Sequence, residues 1–526
     1  MNIYRFKNPT FSLIVLACVV LVAVFIFLRF YDLNNYPLEV NQDELSNIYD
    51  GYCLSETGAD RWGSKYPVIL RAFGNSDFRT PLNAYLCAAS IKLFGFSVSA
   101  GRFPSVVIGC LSLLLLYLTA KKIGGQLFAF FAVLFAGLSP WHILFSRIAH
   151  DGAILPAFFI ILTFYLWLKV KETNYSYQYL IYLGLAIGVA TNVYQSTKLT
   201  FFFISVFTCI EILKNNWPSI KKCFIYCFFI LIGVMPQLIA IIKYPAQFFS
   251  RANGTTKPFS FTVDYFQAFL SDFFANVSPH YLFLSFGESN NLSIARLLPV
   301  EGIFFYLGLI LFCIVFKKTH VFNPIFLYVF LFLAILPSAL TESSPHALRA
   351  SASMILIPLF SAAGVVFIWE RFKKERIKSV FVGVLIIAIL SNAYLFVNTY
   401  ANDPYLRSDN QQHGLVKLCK DLNLHTSGYS SIYIEDLGNQ PYIYVASYCG
   451  MTPEEFQLGE KEYDKSSDWD HFRKLGKYYF YSKSDIEKVP ANASEKKLIL
   501  LQSKEDSYTL IDSVNIDGNN FYYYSK

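Results

Sequence analysis

The sequence predicts a polytopic α-helical membrane protein with a small C-terminal α/β domain, and three observations predict it. The chain of 526 residues is 54% hydrophobic and 18% aromatic. Only 15% of it is charged, well under the roughly 25% of soluble domains. Apolar runs of membrane-spanning length recur from residue 11 to residue 399 and then stop. The net charge of +7 would suit an anionic partner in a soluble protein. Here Lys and Arg gather in short clusters between apolar runs, the pattern of cytoplasmic loops, so nucleic acid is not implied.

The first run, residues 11–30, has the length a helix needs to cross a bilayer. It follows Arg5 and Lys7 and lacks a small-x-small cleavage site, so it reads as a retained anchor with the N-terminus inside. Residues 31–102 are then outside and too polar to cross. Within them, Leu45, Ile48, Tyr49, Tyr52 and Cys53 recur at helical spacing over 44–55, and a Pro start signal opens 81–94. Both segments are expected as helices along the membrane surface, apolar side down.

Ten further runs follow, at 103–120, 128–145, 152–168, 177–195, 199–213, 223–242, 297–316, 321–340, 350–369 and 380–399, making about eleven crossings. The inner loops between them carry Lys121 and Lys122, Lys169 and Lys171, Lys214 with Lys221 and Lys222, Lys317 and Lys318, and a basic group from Arg371 to Lys378. This asymmetry orients the chain with its C-terminus outside. The long outer segment 243–296 holds Arg251, Asp264, Asp272, His280 and Glu288 among many aromatics, and a further surface helix is expected there. Beyond 401 the composition is that of a soluble domain. A helix is expected over 415–424, and strands over 431–434, 477–481, 498–501 and 508–514, with Asp517-Gly518 marking a hairpin. The division is a membrane domain, 1–400, and an extracytoplasmic α/β domain, 401–526.

Six of the ten cysteines, Cys18, Cys110, Cys209, Cys223, Cys227 and Cys313, fall in apolar runs as small hydrophobes, and none shows metal-ligand spacing. Cys53, Cys87, Cys419 and Cys449 lie outside, where the pairings Cys53 with Cys87 and Cys419 with Cys449 are open.

The polar groups that bear chemistry all fall in outer loops: Asp43 and Glu44, Arg79, Arg147 with His150 and Asp151, Lys198, and His346 with Arg349. Charges so close to a bilayer boundary are costly to keep, so their gathering from five loops points to one mixed site. That mix suits transfer of a sugar from a lipid phosphate to a hydroxyl: a carboxylate takes the hydroxyl proton, and cations hold the departing phosphate. Asp43 and Asp151 are the base candidates, while Arg79, Lys198 and Arg349 are the phosphate candidates, the arginines by their fork geometry. The plainer roles are also open. Asp43 and Glu44 suit the first turn of a helix, Asp151 a helix cap, Lys198 and Arg102 a membrane boundary, and His346 a structural loop.

The chain also resembles the GT-C superfamily of membrane glycosyltransferases, in the branch of protein O-mannosyltransferases and the lipid A aminoarabinose transferase. The resemblance rests on Asp43-Glu44, on Arg79-Thr80-Pro81-Leu82-Asn83-Ala84-Tyr85 running into Lys92-Leu93-Phe94-Gly95, and on Gly101-Arg102-Phe103-Pro104-Ser105. It continues through Leu138-Ser139-Pro140-Trp141-His142, Ser146-Arg147, His150-Asp151 and Pro345-His346-Ala347-Leu348-Arg349. It covers most of residues 1–400. It implies a polyprenyl-phosphate sugar donor, inversion at the sugar carbon, Asp43 as base beside Glu44, Asp151 as a second acid, and Arg79 and Lys198 at the phosphate; Arg349 and His346 are further phosphate candidates by their place in an outer loop. It implies no cofactor and at most a non-essential divalent metal. The acceptor is a protein, a lipid or a cell-envelope glycan, at the outer face of a cytoplasmic membrane with an undecaprenyl carrier. Two alternatives compete, a glycolipid transporter or flippase and a lipid-linked polysaccharide polymerase or ligase. Few ionisable groups fall inside the spans, His142, Glu211 and Glu301 among them, and this argues against transport.

Overall fold

The computed structural model describes residues 9–37, 40–74, 77–214, 219–284, 295–402, 410–438, 440–464, 471–486, 496–516 and 518–526. Every apolar run of the sequence is helical. The first is α1 (Pro9–Phe30), followed by α2 (Gln42–Thr57), a two-stranded hairpin of β1 (Leu70–Arg71) and β2 (Phe78–Arg79), and α3 (Leu82–Phe94). The next two runs form one continuous helical stretch, α4 (Val98–Leu138), which breaks at Gly125, where φ is 78°. Glycine alone takes that conformation without strain. Ser139 and Pro140 then cut off a short α5 (Pro140–Phe145).

The bundle continues through α6 (Ile154–Glu172), α7 (Tyr177–Ala190), α8 (Gln195–Leu213) and α9 (Ser219–Lys243). The segment expected to hold one surface helix holds two α-helices among its described residues, α10 (Pro245–Thr255) and α11 (Val263–Ala275), followed by α12 (Glu301–Val315), α13 (Ile325–Ala339), α14 (Ile357–Arg371) and α15 (Glu375–Asn402). Six of the described helices are long and apolar enough to cross a membrane by themselves, and α7, α12, α13 and the Cys18–Phe30 part of α1 are shorter apolar stretches of the same bundle. The chain is a multi-pass membrane protein. Its tightest crossing is glycine-mediated: Gly308 of α12 lies against the Phe360 carbonyl, and Gly364 of α14 against that of Phe304. Inside the bundle a buried polar chain runs from Arg29 to His142 Nδ1 at 2.8 Å, and from His142 Nε2 to Ser112 at 2.9 Å.

The C-terminal domain contains α16 (Asn410–His425), β3 (Ser431–Glu435), α17 (Pro441–Tyr448), α18 (Pro453–Leu458), β4 (Lys461–Asp464), β5 (His471–Leu475), β6 (Tyr478–Tyr481), α19 (Lys483–Ile486), β7 (Lys497–Leu501), β8 (Thr509–Ile516) and β9 (Asn519–Ser525). Its seven-stranded sheet has the order β4-β5-β6-β3-β7-β9-β8. β3 is parallel to β6 and β7, and the remaining pairs are antiparallel. Asp517 of the expected hairpin lies outside the described residues, and β8 and β9 pair on either side of it. All ten cysteines are free thiols.

One expectation is overturned. α2 does not lie on the membrane surface, because Leu45, Tyr49 and Cys53 are buried in a core shared with Leu418, Leu422, Tyr442 and Phe456 of the tail. Tyr444 donates to the Val40 carbonyl at 2.9 Å, and Tyr49 to that of Met451 at 3.0 Å. The face read as lipid-seeking is covered by protein, so the tail and the first loop fold as one unit.

Candidate active site

Five segments converge at the end of the bundle beneath the tail, and the start of α2 is central to them. Asn41 caps this helix, its side chain accepting from the Asp43 N–H at 2.8 Å. The cap fixes the first turn and sends its two acids in different directions. The Asp43 side chain is 32% exposed, whereas that of Glu44 is 3% exposed.

Glu44 is held on three sides. Arg102 Nε and Nη2 donate to its two oxygens at 2.7 and 2.9 Å, and the Ala149 N–H donates at 2.8 Å. Arg102 in turn donates to the carbonyls of Leu33 and Pro37 at 2.9 and 3.1 Å. Glu44, expected as the neighbour of the base, therefore has its acceptor sites filled by structural partners, and its geometry is that of a positioning residue. Arg79, expected at the phosphate, is also engaged by protein groups. It is 2% exposed and donates to Asp50 at 3.0 Å and to the Asp43 carbonyl at 3.2 Å. Arg61 shares the Asp50 carboxylate at 2.8 Å. The Arg79 guanidinium thus supports the backbone under Asp43. Arg147 is likewise structural, donating to the carbonyls of Leu28, Tyr31 and Tyr36 at the end of α1.

Around the Asp43 carboxylate the structure gathers His150, Asp151, Asp77, Tyr194 and Arg251. His150 Nε2 stands 4.0 Å from Asp43, and His150 Nδ1 stands 3.0 Å from Asp151. Burial alone would lower the imidazole, but Asp151 and then Asp43 outweigh it and raise His150 above its ordinary value. Burial alone would raise Asp151, but His150, followed by Arg79 and Arg251, holds it below the usual carboxylate range. Arg251, from α10, pairs with Asp77 at 2.8 Å, and burial leaves the Asp77 carboxyl raised despite that partner. Asp43 has no ion pair closer than 4.0 Å among the described residues.

The cationic side is set by the loop before α14. Burial lowers the Arg349 guanidinium against the pull of Tyr194, and its Nη1 is buried without a hydrogen-bond partner. His346 is pushed down to about 3 by burial and by Arg349, so it is neutral and offers a phosphate a hydrogen bond rather than a charge. Lys198 does not join the acidic cluster. Its ammonium sits 3.8 Å from the centroid of Phe248, one turn before Arg251 on α10.

The sequence and the fold have known counterparts. Residues 79–239 match the family model described as dolichyl-phosphate-mannose-protein mannosyltransferase. The structure of ArnT from Cupriavidus metallidurans bound to undecaprenyl phosphate superposes with a TM-score of 0.59 at 12% identity, covering 97% of this chain and 97% of that one. The chain shares the overall fold of ArnT. ArnT in the apo state gives a TM-score of 0.57 at 11% identity over 98% of each chain. The archaeal oligosaccharyltransferase AglB from Archaeoglobus fulgidus, in complex with an inhibitory peptide and a dolichol-phosphate, gives 0.50 at 12% identity, over 82% of this chain and 63% of that one. No curated protein matches the sequence significantly.

On this scaffold the residues not expected from the sequence are Asp77, Tyr194 and Arg251. Arg251 carried a signal of a kind, as a cation in an aromatic segment between two spans. Asp77 and Tyr194 carried none, since only the folded loops bring them to Asp43.

Proposed function

We propose that this protein transfers a sugar from a polyprenyl-phosphate carrier to an acceptor hydroxyl, with inversion at the sugar carbon. Asp43 takes the hydroxyl proton as the acceptor oxygen attacks the anomeric carbon, and the bond from that carbon to the phosphate oxygen breaks. The carrier phosphate leaves as an anion toward Arg349 and Arg251, with Lys198 beside them and His346 as a hydrogen-bond donor. His150 and Asp151 orient the reacting groups, while Glu44 and Arg79 hold α2 in place. The observation that carries this reading is the inequality among the acids. Asp77 and Asp151 have partners at 2.8 and 3.0 Å, whereas the nearest partner of Asp43 is at 4.0 Å. A general base needs a lone pair that is not already engaged.

Arg349 supports the phosphate side by the complementary argument. A buried guanidinium nitrogen without a partner is costly, and an incoming phosphate oxygen would satisfy it. Arg251 spends one donor on Asp77, leaving the others of its fork. The likeness to ArnT with undecaprenyl phosphate supports a carrier of that chemical class. The distribution of Lys and Arg supports a cytoplasmic-membrane location with the N-terminus inside and the site and tail outside. The reading requires no cofactor. Purified protein in lipid, given a panel of polyprenyl-phosphate sugars with hydroxyl acceptors, tests it. Release of free carrier phosphate with one donor is expected, and movement of intact carrier across the bilayer without release would replace the reading with transport.

A further inference from the structure

At the end of the bundle away from the acidic cluster, three thiols converge from two helices. Cys209 lies one turn before the end of α8, and Cys223 and Cys227 lie near the start of α9. The latter two are four residues apart, which places them on one helix face. The three sulfurs all lie within 4.8 Å of one another, and Cys209 Sγ is 3.6 Å from Cys227 Sγ. In the sequence they are scattered small hydrophobes. The fold turns the i, i+4 pair toward α8 and completes a triangle.

We propose that Cys209, Cys223 and Cys227 form a binding site for Cu(I). Thiolates about 2.3 Å from a common metal centre stand just under about 4 Å apart in a trigonal arrangement, so the sulfur triangle closes on an ion with sub-ångström shifts. Soft thiolate donors select Cu(I) and Zn(II) among biological metals. Structural zinc takes four ligands, and the group comprises three ligand residues among the described residues. A three-sulfur set suits Cu(I), which is stable in trigonal coordination. No redox step is involved: each ligating thiol gives its proton to solvent at the adjacent membrane face, and the metal keeps its oxidation state. Lys214, which ends α8, and Lys221 and Lys222, beside Cys223, supply positive charge against the thiolates. In the orientation proposed above, this end faces the cytoplasm, where thiols stay reduced and free to ligate. The ion would clip α8 to α9, and these two helices lead, at their far ends, to Lys198 and to the Arg251 helix.

The test uses the full-length protein, purified in detergent under anaerobic, reducing conditions. Cu(I) is titrated against a chromogenic chelator, with Zn(II) in a parallel arm, for wild type, Cys209→Ser, Cys223→Ser and Cys227→Ser. The expected result is one equivalent of Cu(I) per chain with a thiolate-to-copper absorption band, and a rise in thermal unfolding midpoint on binding. Each serine variant should weaken binding by more than the roughly 10–100-fold typical of losing a group that only hydrogen-bonds a ligand, while unfolding like the metal-free wild type. Copper affinity unchanged in all three variants would overturn the proposal. So would preferential retention of zinc, or a Cys209–Cys227 disulfide in protein isolated without reductant. None of these readouts depends on sugar transfer, so the site stands or falls separately from the proposed activity.

Discussion

Replacing Glu44 by Gln separates the two acids of the first loop by role. The substitution keeps the side-chain shape and removes the charge against which Arg102 is buried. The charge-assisted hydrogen bond at 2.9 Å is lost, because the new amide nitrogen must face Arg102 Nη2, and the one at 2.7 Å survives only as a bond to a neutral oxygen. The remaining oxygen can still accept from Ala149, where Glu44 accepts at 2.8 Å. Removing one partner of a buried pair typically costs about 3–5 kcal/mol, and the surviving bond puts Glu44→Gln near the lower end, about 3 kcal/mol. That is more than a hundredfold in the ratio of folded to unfolded protein. The assay is denaturant unfolding of the detergent-purified protein, with carrier release measured per folded molecule. The expected outcome is a lowered unfolding midpoint and turnover reduced far less than by substitution of Asp43. An unchanged midpoint with turnover abolished would refute the reasoning and make Glu44 a reacting group.

Three other predictions follow from the same geometry. Gly364→Ala places a methyl group against the Phe304 carbonyl of α12. Overpacking of this kind costs at least about 1–3 kcal/mol, so the folded yield and the thermal midpoint should fall, whereas Gly383→Ala, with nothing within 4 Å, should be neutral. Arg349→Ala should reduce carrier release by about 100-fold or more, the scale of one lost transition-state donor. Arg349→Lys should recover only part of it, and equal activity of wild type and Arg349→Ala would remove this residue from the phosphate site. The pH profile tests the His150 and Asp151 pair. His150 has a raised folded value, so its contribution is present below its unfolded value and is lost as pH rises through the folded one. Asp151 has a depressed folded value, so its contribution is present above its unfolded value and is lost as pH falls through the folded one. Asp151→Asn removes the larger of the two carboxylate influences that raise His150 and should move the alkaline limb of the stability and rate profiles to lower pH. An unmoved limb would contradict the pairing.

The bundle was legible because hydrophobic runs of spanning length report helices directly, whatever their neighbours. Strands β3, β6, β7 and β8 were legible by alternation and flanking turns. The short polar β4 and β5 were not, since Lys461–Asp464 and His471–Leu475 become strands only by pairing with each other and with β6. The face of α2 was misassigned because an apolar stripe does not say whether lipid or protein covers it. Within the site, sequence reasoning found the acids and most of the loops but could not see the ion pairs that divide the labour. Arg102 occupies Glu44, Asp50 occupies Arg79, and Asp77 anchors Arg251. Each pair joins residues whose proximity exists only in the folded chain. The three-thiol cluster shows the same limit, since Cys223 and Cys227 have helical spacing but Cys209 reaches them only through the packing of α8 on α9.

The central claim, that Asp43 is the base, is tested most directly by single-turnover carrier release from Asp43→Asn in lipid, with the unfolding midpoint measured on the same sample. The expected result is a wild-type midpoint, because the nearest ion-pair partner of the Asp43 carboxylate among the described residues stands 4.0 Å away, together with a rate lowered by about 100- to 10,000-fold, the range of a removed general base. A variant that folds normally and transfers at the wild-type rate would contradict it.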